Sequence, residues 1–186
     1  MSAKMLDLSN INILIIDENA NMRIIVKQIL RALDAHTTKE ASGGAEAFTT
    51  LKTFNADIIL TTWMMSPING VEFTKMLRTS SDSPNPMVPV IMLSGHTEAR
   101  YISEARDSGV TEFMAIPISP KSLYLRIAEV VLRPRQFVQT NDFFGPDRHR
   151  HDNEKYRGEL RRQEDKEKQQ DEMELTDAHN SLLKPD

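Results

Sequence analysis

The 186-residue sequence predicts an α/β fold: a three-layer, doubly wound (βα)5 sandwich around a parallel five-stranded sheet, followed by a charged C-terminal extension. Five short apolar runs alternate with five amphipathic stretches, which is the order of a parallel sheet covered by helices. The apolar runs are nearly continuous and rich in β-branched residues, as in strands that are buried on both faces. Charge is also uneven, because residues 1–133 contain 13 basic and 14 acidic residues, whereas the shorter stretch 134–186 contains 10 and 13.

The first two strand and helix pairs follow from hydrophobic spacing. Residues 11–16 are apolar except for one asparagine and predict a strand. A second strand is expected over 35–40, and a second helix over 45–51 with Ser42 as its N-cap. The first helix is predicted over 21–33 because its apolar residues recur at three- and four-residue spacing, namely Met22, Ile25, Val26, Ile29, Leu30 and Leu33.

The same alternation continues three more times along the chain. Gly109 follows the fourth amphipathic stretch and is predicted to be its C-terminal cap. In a doubly wound sheet, ligands bind beyond the carboxyl ends of the strands, so the residues that follow each strand are the candidate functional residues. The predicted strands are 57–62, 88–93 and 111–116, and the predicted helices are 71–77, 98–107 and 120–132.

The composition excludes several classes of protein. The chain has no cysteine, which excludes disulfides, thiolate nucleophiles and cysteine-bound metal sites. A formal net charge of −4 gives no general affinity for nucleic acid. No apolar run reaches the roughly 18 residues that span a bilayer, and the N-terminus lacks the pattern of a signal peptide. We expect a soluble, cytoplasmic protein that binds neither nucleic acid nor membrane.

Motifs at the predicted strand ends resemble those of a known family. The first of them reads Ile-Leu-Ile-Ile-Asp-Glu-Asn, and together they lie at residues 13–23, 56–70, 88–96, 105–109 and 113–117. In this order they resemble the receiver domains of bacterial two-component response regulators over residues 10–133, which implies a CheY-like, flavodoxin-like fold. Residues 82–89 and 143–148 are in addition similar to a subgroup of single-receiver proteins from alphaproteobacteria.

The resemblance implies a phosphoryl-transfer site that this chain has in altered form. In the family, an acidic pair after the first strand and an aspartate after the third hold magnesium, and that aspartate accepts a phosphoryl group from a histidine kinase. Asp17 and Glu18 match the acidic pair, but Thr62 stands at the acceptor position. Ile116 stands where the family has a lysine that pairs with the acceptor. An unactivated hydroxyl stays protonated at neutral pH and is a much poorer acceptor than a carboxylate.

The two replacements are consistent with each other, because they remove both partners of a charge pair rather than one. We therefore predict a pseudo-receiver: an atypical response regulator that is not an enzyme and acts in two-component signal transduction through phosphorylation-independent protein contacts. Two alternatives stay open. One is phosphorylation at an atypical acceptor, with Thr61, Thr62 and Asp17 as candidates. The other is a pocket that senses a small ligand, lined by Asp17, Glu18, Thr62 and Ser94.

Three further positions have a functional and a plain structural interpretation. Ser94 matches a hydroxyl that contacts the phosphoryl group in the family, but a serine that ends a strand also bonds local amides, and we favour the second role. Phe113 matches an aromatic switch position, but an aromatic residue on a strand that faces a helix is more often plain packing or a fixed part of a partner-binding face. Asp17 and Glu18, with the Met64 carbonyl, predict at most a weak Mg²⁺ site, because two carboxylates are fewer than the family's three. The alternative is a solvated acidic pocket without a cofactor.

Protein contacts are the expected output. In the family, the fourth helix, fifth strand and fifth helix contact partners or form dimers, and the first helix docks the kinase. The expected partners are a histidine kinase, a phosphotransfer protein or another response regulator, and a homodimer is also compatible with the sequence. The side chains proposed for the interaction face are of types that often anchor interfaces: Arg100, Tyr101, Arg106, Tyr124 and Arg126.

The chain is predicted to divide into a receiver-like domain at 1–133 and a charged tail at 134–186. Opposite charges at three- and four-residue spacing after residue 147 suit either a solvated single helix or disorder. The start of the tail contains three aromatic residues that are candidates for folding back on the domain, Phe137, Phe143 and Phe144.

Overall fold

A computed structural model describes residues 6–140 and 143–147. Its centre is a parallel five-stranded sheet in the order β2-β1-β3-β4-β5, which confirms the predicted α/β, doubly wound fold. The order places β1 and β3 in the middle, so their side chains are covered on both faces. The strands are β1 (Ile13–Ile16), β2 (Thr38–Ala41), β3 (Ile58–Thr62), β4 (Val90–Ser94) and β5 (Glu112–Ala115).

Helices connect successive strands, and side chains cap several of them. Asn19 accepts hydrogen bonds from two amides of the first helix, and Ser119 caps the fifth. The prediction of Ser42 as an N-cap is wrong: Gly43 occupies that position, and the Ser42 hydroxyl instead donates to Glu46 Oε2 at 2.6 Å. The helices are α1 (Ala20–Ala32), α2 (Gly44–Leu51), α3 (Gly70–Thr79), α4 (Ala99–Asp107) and α5 (Pro120–Leu132).

The sheet separates two hydrophobic clusters, because alternate strand residues point to opposite faces. Leu14 and Ile59 belong to one cluster, which includes residues of α2, α3 and α4. Ile13 and Ile58 belong to the other, which includes residues of α1 and α5. The result is the predicted three-layer arrangement. One side chain departs from the predicted helical stripe, since Ile25 of α1 is 45% exposed.

The start of α3 is stabilised by a capping box. The Asn69 side chain accepts from the backbone N–H groups of Val71 and Glu72, both at 2.9 Å, and Glu72 Oε2 accepts from the Asn69 N–H at 3.0 Å. We expect N69A to lower the free energy of unfolding by about 1 kcal/mol, because two amides lose their acceptor. Urea unfolding of the full chain measures the difference. Q28A on the exposed surface of α1 is the control, and an equal loss in both variants contradicts the assignment.

The first part of the predicted tail is neither helical nor disordered. Residues of two strands, β6 (Phe137–Gln139) and β7 (Phe144–Pro146), pair antiparallel in a small sheet of their own. This C-terminal hairpin belongs to the same compact unit as the central sheet. The aromatic residues of the hairpin favour this packing, because they supply an apolar contact surface. The sequence that follows is more charged and lacks such a surface. The expectation of helix or disorder for 148–186 falls outside the described residues.

Candidate functional site

The parallel register brings the predicted site residues to one edge of the sheet. Ile16 pairs with Thr61 and Thr62 pairs with Leu93, so Asp17 and Thr62 end neighbouring strands. The residue after Leu93 is Ser94, which pairs with Ala115 and places Ile116 directly beyond it. Four predicted site residues therefore lie side by side beyond β1, β3, β4 and β5, namely Asp17, Thr62, Ser94 and Ile116.

Asp17 is a buried carboxylate whose partners are local. Its side chain Oδ1 accepts a hydrogen bond from the Asn19 N–H at 2.8 Å, and Arg23 Nη1 donates to its backbone carbonyl at 2.7 Å. Burial raises the pKa of the Asp17 carboxyl above its ordinary value, and Glu18 adds to the rise, while the Asn19 hydrogen bond and the Arg23 charge oppose it. The charged form is therefore less favourable here than in the unfolded chain.

This raised pKa sets the sign of a pH effect on stability. A carboxyl with a higher pKa in the folded chain binds its proton more tightly when folded, so stability falls as pH rises through the interval above 3.8, its unfolded value. We expect D17N to raise the Tm at pH 7 by roughly 2 °C and to have a smaller effect near pH 4. Thermal unfolding at the two pH values measures this. A Tm for D17N that is lower at pH 7 contradicts the desolvation argument.

Glu18 joins two loops of the site. Its Oε2 accepts from the Ser66 N–H at 3.1 Å, which ties the loop after β1 to the loop after β3. Met64, whose carbonyl is the third predicted magnesium ligand, has an exposed side chain in that second loop. No group of three or more acidic or histidine side chains suited to a metal ion occurs within residues 6–140 and 143–147. With two carboxylates and no third one beside them in the described residues, this donor set supplies little charge for a divalent cation.

The two threonines at the end of β3 differ in accessibility. The Thr61 hydroxyl is fully buried and donates to the Thr62 carbonyl at 3.2 Å, whereas Thr62 is half-buried. The turn behind Thr62 is tight: the Gly70 N–H donates to the Trp63 carbonyl at 2.9 Å. A Cβ added to Gly70 would lie 2.2 Å from the Thr62 carbonyl oxygen. Gly70 thus sets the distance between the start of α3 and the residue at the acceptor position.

The remaining strand ends are occupied by local contacts. Ser94 is buried, and its Oγ accepts from the His96 N–H at 3.0 Å, which agrees with the local role favoured above. Ile116 is half-buried and packs against the cluster that contains α1 and α5. Phe113 is half-buried and packs against the opposite cluster. At the end of β5, Ile116 is therefore an apolar side chain in contact with the core.

An aromatic cluster next to the site was missed by sequence reasoning. Trp63 is buried, and its ring meets Tyr101 of α4 edge to face, with 5.2 Å between centroids. The rings of His96 and Tyr101 lie 4.8 Å apart, and the Arg100 guanidinium lies 4.6 Å from the centre of the Tyr101 ring. The cluster joins the loops after β3 and β4 to α4. The aromatic type of Tyr101 in α4 was the available signal, but its orientation depends on where α4 lies.

The five residues predicted for the interaction face fall into two groups. Arg100 and Arg106 are exposed. The others make contacts within the chain: Tyr101 packs on Trp63, the Tyr124 hydroxyl accepts from the Leu6 N–H at 2.6 Å, and Arg126 forms an ion pair with Glu112 at 2.7 Å. Tyr124 packs against the cluster containing α1 and α5. Arg100 and Arg106 are thus exposed and the other three residues are half-buried, and the interaction face stays a prediction.

These features define the class of protein: a doubly wound α/β domain with an acidic pair and hydroxyl residues at the carboxyl edge of its sheet. Residues 13–128, more than half of the chain, match the model of the response regulator receiver domain, and the chain belongs to this family. It is thus a CheY-like receiver domain of two-component signalling. Such domains are in general non-enzymatic signalling modules that interact with kinases and other regulators.

Similar proteins include chemotaxis proteins of several bacteria. Chemotaxis protein CheY-3 of Vibrio cholerae is 31% identical over 124 residues, which are 67% of this chain and 94% of that protein. Chemotaxis protein CheY1 of Helicobacter pylori is 33% identical over 122 residues, with 64% and 95% covered. The structure of the Francisella response regulator 1452 receiver domain matches with a TM-score of 0.60 and 27% identity, covering 67% of this chain and 98% of that one.

Within the described part of the chain, no helix has the length and apolar character needed to cross a membrane.

Proposed function

We propose that this chain is a pseudo-receiver, which regulates two-component signalling through protein contacts and does not undergo phosphorylation. One observation supports the proposal: Thr62 and Ile116, which the sequence motifs match to the family's acceptor and lysine, lie at the same sheet edge as Asp17. Acyl phosphate formation needs an ionised oxygen nucleophile and positive charge to stabilise the transferred group. A half-buried hydroxyl and an apolar side chain supply neither.

The electrostatic surroundings support this proposal. A receiver that accepts a phosphoryl group must hold several negative charges together, which requires a cation or a lysine close by. Here the nearest cationic side chain with a contact to Asp17 is Arg23, whose Nη1 donates to the backbone carbonyl of Asp17 and whose Nε lies 3.2 Å from Glu40. Arg23 is therefore already engaged on the α1 side of the site.

The contacts at the strand ends also favour a receiver with one conformation. The Ser94 hydroxyl, which would have to face a phosphoryl group, accepts from the His96 N–H. Tyr101 packs on the buried Trp63 and keeps α4 against the loop after β3. In this account, α4, β5 and α5 form a surface that phosphorylation does not change and that partners recognise without a phosphorylation step.

The first helix is the second surface available for partners. Ile24 and Ile25 are 50% and 45% exposed, and the neighbouring Asn21 and Gln28 are exposed as well. Apolar side chains flanked by polar ones suit a protein contact.

We propose a histidine kinase, a phosphotransfer protein or another response regulator as the partner, in the cytoplasm, with a homodimer as a further assembly. Residues 82–89 and 143–148 support a relation to alphaproteobacterial single-receiver proteins.

One phosphorylation assay separates the proposal from phosphorylation at an atypical acceptor. The full chain is incubated with Mg²⁺ and acetyl phosphate, and its intact mass is measured before and after treatment with acid and with alkali. The pseudo-receiver account expects no phosphorylated species. A product that is labile at both pH extremes is an acyl phosphate and identifies an aspartate acceptor, whereas an acid-stable product identifies a threonine. The buried position of Thr61 argues against that residue as the acceptor.

A further inference from the structure

The C-terminal hairpin is attached at the amino end of β5, which is the end of the strand opposite the candidate site. Its two strands pair only with each other among the described residues and do not extend the central sheet. The hairpin is closed at its base by the Asp147 N–H, which donates to the Gln136 carbonyl at 2.7 Å, and near its tip by the Thr140 N–H, which donates to the Phe143 carbonyl at 2.8 Å. It is therefore a local unit with hydrogen bonds of its own.

A buried carboxylate links this unit to two elements of the domain. Glu112, the first residue of β5, has a side chain that is 4% exposed. Arg126 of α5 donates to its Oε2 at 2.7 Å, and Arg135, just before the hairpin, donates to its Oε1 at 2.6 Å. Arg135 Nη1 also contacts the Asp147 carbonyl at 3.4 Å. Glu112 thus holds β5, α5 and the base of the hairpin together, and removing one of its partners is destabilising because the buried charge is then less well compensated.

A second attachment joins the hairpin to α3 and to the turn before β5. Arg78 of α3 is 4% exposed and donates to the carbonyls of Gly109, Pro86 and Val88, while its Nη2 has no hydrogen-bond partner in the described residues. The Phe137 ring covers this guanidinium, with 5.1 Å from Cζ to the ring centre. Aromatic faces attract a cation that is removed from water.

The hairpin backbone also lies close to the domain backbone at two glycines, Gly109 and Gly145. Gly109 has a φ of +93°, and a Cβ added to Gly145 of the hairpin would lie 3.0 Å from the Gly109 Cα and 2.7 Å from the Phe143 Cζ. The hairpin backbone therefore rests directly on the turn between α4 and β5. Any side chain at Gly145 would press on the Gly109 Cα and on the Phe143 ring, so these neighbours would have to shift.

We propose that the C-terminal hairpin is a releasable strap that sets the position of β5 and α5. The hairpin thereby controls the surface formed by α4, β5 and α5, and it does so from the end of the sheet opposite the candidate site. Its attachments reach this surface directly, through Glu112, Arg126 and Gly109. Because it contributes no strand to the central sheet, it can open without breaking a sheet hydrogen bond there. The inference does not depend on whether the candidate site is phosphorylated.

Amide hydrogen exchange of the full chain, followed by NMR, tests the strap with two independent disruptions. R135A removes one partner of Glu112, and G145A separates the hairpin from Gly109. We expect both to accelerate exchange at Thr140 and Asp147, and at Gly109 in the turn before β5, by at least about tenfold, with amides of β1 and β3 unchanged. We also expect their chemical-shift changes to extend into β5 and α5. R133A is the matched control, because Arg133 is 77% exposed and pairs with the exposed Glu129.

Three outcomes overturn the proposal. If the hairpin amides keep their protection in both variants, the assigned contacts do not hold it. If all amides, including those of β1 and β3, accelerate equally or both variants unfold, the hairpin is an inseparable part of the core and not a strap. If the changes stop within the hairpin and spare Gly109 and α5, the hairpin opens but does not control the surface.

Discussion

The double substitution T62D/I116K is expected to convert this chain into a phosphate acceptor. Thr62 ends β3 directly beside Asp17, so an aspartate there completes a cluster of three carboxylates with Glu18. Ile116 follows β5 next to Ser94, so a lysine there adds positive charge on the other side of the acceptor. With Mg²⁺ and acetyl phosphate, we expect the phosphorylated fraction to rise at least roughly 100-fold over the wild-type chain, as an acyl phosphate.

Matched variants separate charge from shape in this experiment. T62N/I116M has side chains of similar size without the new charges and is expected to remain unphosphorylated. T62D alone places a third carboxylate beside the buried Asp17 without a new cation, so Mg²⁺ should stabilise it more than it stabilises the wild-type chain. If wild type and T62D/I116K are phosphorylated equally, the two replaced residues are not what prevents the reaction.

The substitution G70A is expected to be the most damaging single change at the site. A Cβ at this position would lie 2.2 Å from the Thr62 carbonyl oxygen and 3.2 Å from the Met92 Cε. The backbone oxygen cannot move away without disturbing the end of β3, so α3 or the strand must shift. We expect a loss of about 2–3 kcal/mol in the free energy of unfolding, measured by urea unfolding, and an altered environment of the single tryptophan, Trp63.

Gly95 provides the control for this prediction. It lies after β4 at the same edge of the sheet, and a Cβ added there would meet no atom within 4 Å. G95A is therefore expected to change the free energy of unfolding by no more than about 0.5 kcal/mol. A G70A variant as stable as G95A would mean that the close approach of Gly70 to Thr62 is relieved at little cost.

The architecture was predictable because the strands are buried on both faces. Continuous apolar runs such as 13–16 and 58–60 have few interpretations, and their alternation with amphipathic stretches indicates a parallel sheet. Helix starts were less certain, because a cap depends on local geometry: Ser42 is a favourable cap residue, yet it bonds Glu46 instead. Ile25 was misplaced for a similar reason, since helical spacing shows which residues share a face but not how wide the covered face is.

The candidate site was predictable in composition but not in its contacts. Once the strands are in register, Asp17 and Thr62 must be neighbours, and this follows from the sequence pattern alone. The bond from the Ser66 N–H to Glu18 and the contact between Trp63 and Tyr101 link segments that are distant along the chain. Such contacts depend on loop conformation and on the position of α4. The spacing of apolar residues in the sequence determines neither.

The C-terminal hairpin could likewise be predicted only in part from the sequence. Charge density after residue 133 suggested a tail, and the three phenylalanines were the available sign of a packed segment. The partners that hold this segment, Glu112 and Arg78, have charged side chains, and a charged residue is rarely expected to be buried. Their burial follows from the pairing of Glu112 with two arginines and from the backbone carbonyls around Arg78.

The most direct test of the pseudo-receiver account is an amide NMR titration of the full wild-type chain, first with Mg²⁺ and then with beryllofluoride, which mimics a phosphoryl group bound to an aspartate. The account predicts that beryllofluoride leaves the amides of α4, β5 and α5 unchanged, because Thr62 offers no carboxylate to bind it. If these amides shift when beryllofluoride is added and not with Mg²⁺ alone, the phosphorylation switch is intact and the account is contradicted.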